Sequence, residues 1–166
     1  MTDSKDVRFT TELFKDKESA EKAYNDAIKS GYTPQDINVI MSEDSRKKYY
    51  DSVLVKESSK AEEGLGIGGA TGAVIGGIVA AIAAIGTSLV IPGLGLVIAG
   101  PLAAGLAGAG AGAISGGIIG ALIGWGIPED KAKVYESGIK SGGIVLGVND
   151  TLPNSNLEAD WRRYRS

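Results

Sequence analysis

The chain has 166 residues, a formal net charge of −3 from 17 basic and 20 acidic side chains, and neither cysteine nor histidine. Those counts exclude thiolate and imidazole metal sites, disulfides and any nucleophile activated by histidine. The near-balanced charge gives no general attraction to nucleic acid, and the length suits one modest domain.

The charges are unevenly placed. Gly64 to Pro128 contains no Asp, Glu, Lys or Arg and holds 20 of the 25 glycines. A charged globular chain is thus interrupted by an apolar, glycine-rich insert. The N-terminus MTDSKDVRF is charged and has no apolar run before a small-residue cleavage site, so the first 60 residues are expected in the cytoplasm.

In chain order, Val7, Phe9 and Leu13 alternate with Arg8, Thr10 and Glu12, the period of a strand with one buried face. In DKESAEKAYNDAIKSG the apolar set Ala20, Ala23, Tyr24, Ala27, Ile28 has helical spacing, with Asp16 as cap and Gly31 as stop. Ile37, Val39 and Met41 predict a second strand, and Val53 to Val55 a short third. Arg46, Lys47, Lys48, Tyr49 and Tyr50 form a basic-aromatic run, read as a solvated loop or helix because Glu43, Asp44 and Asp51 dilute its field. After the insert, IPEDKAKVYESGIKSGG predicts a helix with Pro128 at its first position and Gly142 at its end, then a strand from Ile144 to Val148.

The order β-α-β-β-insert-α-β is that of an α+β, ferredoxin-like split βαβ domain interrupted by a long glycine-zipper helical hairpin. The expected organisation is 1–63 for the first part of that domain, 64–127 for the hairpin, 128–149 for the second part and 150–166 for an amphipathic, arginine-rich tail. The two parts share a sheet, so both ends of the insert leave on one side of whatever it enters.

Two glycine rows of period four define the insert: Gly64, Gly68, Gly72, Gly76, and Gly108, Gly112, Gly116, Gly120, Gly124. Spacing of four puts glycines on one helical face, where a second backbone can approach closely, and these nine are the expected self-association residues. Gly64–Gly86 and Leu102–Gly126 are each long enough to cross a hydrocarbon core of about 30 Å. TSLVIPGLGLVIAGP between them is read as a helix-breaking reversal. Only eight strongly lipophilic side chains lie in the first stretch, at about −0.3 to −0.6 kcal/mol each, so a lone helix inserts marginally. Its eight glycines cost about 0.8 to 1 kcal/mol each in an exposed helix unless close packing offsets them.

Gly64, Gly66 and Gly69 satisfy GxGxxG, but SSKAEE separates them from the preceding strand, so packing glycines explain them better than a dinucleotide site. No lysine lies in the insert to make a Walker-type phosphate loop. Trp125 is either an interfacial anchor or a packed boundary aromatic. In the tail, Leu157, Trp161 and Tyr164 fall on one helical face behind Asn156, beside Arg162, Arg163 and Arg165. Docking on the domain itself is the default for this helix. Trp125, Trp161, Arg162, Arg163 and Tyr164 are the candidate contacts with a partner or a membrane surface.

Across residues 7 to 148 the chain resembles the bacterial general stress proteins of the heat-induced stress protein type. The resemblance is carried by FTTELFKDKESAEKAYNDAIKSGYTPQDINVIMSEDSR, the zipper GGATGAVIGGIVAAI, the turn IPGLGLVIAGP and GAGAGAISGGIIGALIGWGIPEDKAKVYESGIKSGGIVLGV. It implies a stress-linked, non-enzymatic protein with no catalytic residues to carry over. No catalytic residue, cofactor or metal is expected. The expected partners are copies of the chain and a lipid bilayer. The leading expectation is a membrane-associated, self-assembling protein with a cytoplasmic domain. The alternatives are a soluble filament or shell with zippers buried between subunits, and a small-ligand or partner-sensing module.

Overall fold

The computed structural model describes residues 8–50, 78, 88–91, 95–101, 103, 117–150, 152 and 156–165. Strand β1 (Arg8–Phe14), helix α1 (Lys17–Lys29) and strand β2 (Ile37–Ser42) come first, followed by helix α2 over residues 43–50. Then come β3 (Ser88–Ile91), β4 (Leu96–Ala99), α3 (Gly117–Gly124), α4 (Glu129–Lys140), β5 (Ile144–Asp150) and α5 (Leu157–Arg162).

Local chemistry sets the helix ends. The Ser19 N–H donates to Asp16 Oδ1 at 2.7 Å, filling one of the orphan donors of α1, and Gly31 takes φ +102° beyond its end. Helix α4 carries Glu129 and Asp130 in its first turn and Lys140 in its last, each at the pole of the helix dipole it favours.

The sheet has five antiparallel-paired strands in the order β1-β5-β2-β4-β3. Strands β1 and β2 run parallel on either side of β5, which makes β1-α1-β2 a split βαβ unit. Alternation then separates two cores. Ile37, Val39, Met41, Val97, Ala99, Ile144, Leu146 and Val148 join α1, α5, Tyr50 and Ile78 in the first. Ile40, Leu96, Ile98 and Val145 join α3 and α4 in the second. Helices therefore cover both faces, and β2, β4 and β5 are apolar almost throughout because neither of their faces meets water.

This sheet differs from the one expected of a ferredoxin-like domain. The strand at Val53 to Val55 lies outside the described residues, and the neighbour of β2 on the side away from β5 is β4, which comes from the insert. TSLVIPGLGLVIAGP does reverse the chain, but as β structure. It supplies two paired strands, Ser88 opposite Ala99 and Ile91 opposite Leu96, with β4 fully buried. The residue types explain the correction: SLVI and LVIA are short β-branched runs on either side of Pro92 and Gly93, and a strand buried on both faces shows no alternation to announce it. Just after β4, Gly100 has φ +107°, and a Cβ there would stand 2.5 Å from the Ile37 carbonyl oxygen. The end of the hairpin thus crosses the start of β2 at backbone contact.

The second glycine stretch is also corrected. Gly117 has φ +70°, so no single helix runs from Leu102 to Gly126, and α3 packs on the second core. In the first stretch Ile78 is fully buried in the first core. The rest of the expected hairpin, 64–77, 79–87 and 104–116, lies outside the described residues. Among the described residues, no helix is long and apolar enough to cross a membrane.

Candidate functional site

Helix α3 has two unlike faces. Ile118, Ala121 and Leu122 are buried against α4 and the sheet. Ile123 is 44% exposed on the opposite side, and no described atom lies within 4 Å of where a Cβ would stand on Gly120 or Gly124. Two glycines of the period-four row thus form a bare ridge beside an exposed isoleucine, with the backbone open to close approach. Trp125, just beyond, is partly buried against the second core, the packed-aromatic reading of that residue. Gly64, Gly68, Gly72, Gly76, Gly108, Gly112 and Gly116 lie outside the described residues.

The tail residues do not join this ridge. Helix α5 docks on the other face of the sheet, where Trp161 is fully buried and donates its indole N–H to the Ala23 carbonyl at 2.9 Å. Its ring meets Phe14 edge to face at 5.8 Å. Trp161 is therefore a core residue and not an external contact. The Tyr164 hydroxyl donates to Asp26 Oδ2 at 2.7 Å, while Arg162 and Arg163 pair within the helix with Glu158 and Asp160.

A buried polar cluster between α1 and α2 has no counterpart in the sequence reading, which placed the carboxylates on solvated helix faces. Glu21 Oε2 accepts the Ile78 N–H at 3.3 Å, whereas its Oε1 is buried without a hydrogen-bond partner among the described residues. The Tyr24 and Tyr50 hydroxyls are buried in the same condition. Lys17 Nζ donates to the Tyr49 carbonyl at 3.3 Å and stands 5.1 Å from the Tyr50 ring centre. Burial raises the Glu21 carboxyl above its ordinary range, against the pull of the Ile78 N–H and the Lys17 charge. Burial, then the Glu21 charge, pushes Tyr24 up to about 12 and Tyr50 further. The phenols stay neutral at physiological pH and offer no nucleophile. The signal lay in Glu21 flanking a narrow alanine-rich face, Ala20, Ala23 and Tyr24, that is buried in the first core.

A groove of about 430 Å³ runs along the edge of β1 beside α4. Leu13, Val134 and Tyr135 give it an apolar floor, and Glu12, Lys15, Asp130, Lys131 and Arg165 its rim. The Tyr135 hydroxyl lies 3.0 Å from Thr11 Oγ1, and burial pushes its pKa up to about 12. Glu12, expected to face outward, is 9% exposed, with Arg165 Nε 3.8 Å from its Oε1.

No family model, curated protein or solved structure matches the chain. Among the described residues no group of three or more acidic side chains is placed to hold a metal ion. The α3 ridge is the place where sequence pattern and unfilled geometry coincide.

Proposed function

We propose that this chain is a non-enzymatic association module, and that copies pack through glycine ridges held on the surface of the folded domain. One observation carries the reading: no described atom stands outside the period-four glycines of α3, while Ile118, Ala121 and Leu122 face inward. Glycine in a helix interior costs about 0.8 to 1 kcal/mol relative to alanine, and close backbone packing is what offsets that cost. The resemblance to bacterial general stress proteins adds a stress-linked, non-catalytic role. Anchoring of the insert to the sheet favours protein-only assembly, with zippers buried between subunits, over a hairpin suspended in lipid.

Sedimentation in detergent-free buffer, followed by flotation with liposomes, tests this. Soluble particles of several copies that do not float are expected. A monomer, or protein recovered only with lipid, would overturn the proposal.

A further inference from the structure

The β1 edge groove is separate from the α3 ridge, and its geometry fits strand addition. Strand β1 pairs only with β5 among the described residues, so one side of its backbone faces away from the sheet. N–H directions alternate along a strand, and the Leu13 N–H donates not to β5 but to the carboxylate of its own neighbour Glu12, at 3.2 Å. The Phe9 and Thr11 N–H groups share that outward direction. A side-chain carboxylate thus stands where an added strand would place a carbonyl, and it marks a donor that such a strand can take over.

Beside this edge Val134 is 59% exposed, unusually bare for a large apolar side chain, and it adjoins Leu13 and Tyr135 in the groove floor. On the rim, Lys15 and Lys131 are exposed and make no ion pair among the described residues, and Asp130 is the one unpaired anion. Arg165 is engaged by Glu12. The unengaged rim charge is therefore net positive around an apolar seat. We infer that the groove takes an extended acidic peptide that adds to β1 as an outer strand, one apolar side chain seated on Val134 and carboxylates two residues away on each side meeting Lys15 and Lys131. Side chains two apart share a strand face, so the motif is acidic-x-apolar-x-acidic.

The probe is fluorescein-labelled acetyl-Glu-Thr-Val-Thr-Glu-amide, titrated by anisotropy against the full chain, with the lysine-for-glutamate peptide as control. Saturable binding is expected, weaker by about 10-fold for the control, since exposed ion pairs on the rim each contribute little. Val134→Glu should abolish binding without unfolding, because the side chain is already in solvent. Lys15→Glu with Lys131→Glu should reverse the peptide preference. A photo-reactive leucine in place of the probe's valine should cross-link within residues 12–15 and 131–135. Equal binding of both peptides, no binding at millimolar peptide, or cross-links elsewhere would overturn the inference. The chain has no cysteine, so Val134→Cys carries a unique thiol. Its oxidation, without peptide, to a disulfide-linked dimer would assign the groove to a second copy and also overturn it.

Discussion

Trp161 and Glu21 show how far a single residue's role can depart from its sequence neighbourhood. Trp161 sits among arginines, yet its indole bridges α5 to α1 and fills the first core against Phe14. Trp161→Ala should cost about 3 to 5 kcal/mol of unfolding free energy by urea denaturation. Glu21 gives a pH signature. Its folded-state pKa is raised, so its contribution to stability is fully present below the unfolded value of 4.5 and is lost as pH rises through the folded value. Glu21→Gln keeps an acceptor for the Ile78 N–H and removes the buried charge. The variant should therefore gain stability over wild type at pH 7 and show little gain at pH 4. An equal difference at both pH values would mean that the carboxyl titrates as it does in the unfolded chain.

At the scale of elements, legibility followed solvent contrast. Helix α1 was readable because Ala20, Ala23, Tyr24 and Ala27 face a core while Glu18, Lys22 and Asn25 face water. The same contrast announced α4 and α5. Where it vanished, the sequence was ambiguous: LVIA in β4 is buried on both faces and has the same pattern as a piece of membrane helix. The glycine rows were visible, but the left-handed Gly117 that starts α3 was not, because glycine tolerates either hand equally. The groove on β1 could not be foreseen either, since it depends on β5, from the far end of the chain, taking only one side of β1. Helix α3 yields a test of its inward face. Leu122→Ala should cost about 2 to 5 kcal/mol, measured by thermal unfolding, because Leu122 is fully buried in the second core. Gly120→Ala should instead leave stability equal or raise it by up to about 1 kcal/mol, through helix propensity alone.

For the whole molecule, the described parts of the insert, Ile78, β4 and α3 among them, share both cores with the charged chain. Excising Gly64 to Gly126 and joining the ends removes β3, β4, α3 and Ile78. The first core then loses Ile78, Val97 and Ala99, and the second loses Leu96, Ile98, Ile118 and Leu122. Such a chain should lack a cooperative thermal transition, and a sharp one would show that the sheet does not depend on the hairpin. Assembly can be separated from folding on the α3 ridge, since a side chain added at Gly120 or Gly124 starts from a Cβ with no described atom within 4 Å. Sedimentation velocity over a concentration series, comparing wild type with Gly120→Leu/Gly124→Leu, decides the matter. Bulk on the ridge should reduce the multi-copy particle to monomer while the melting transition is kept; an unchanged particle mass would place the contact between copies elsewhere on the molecule.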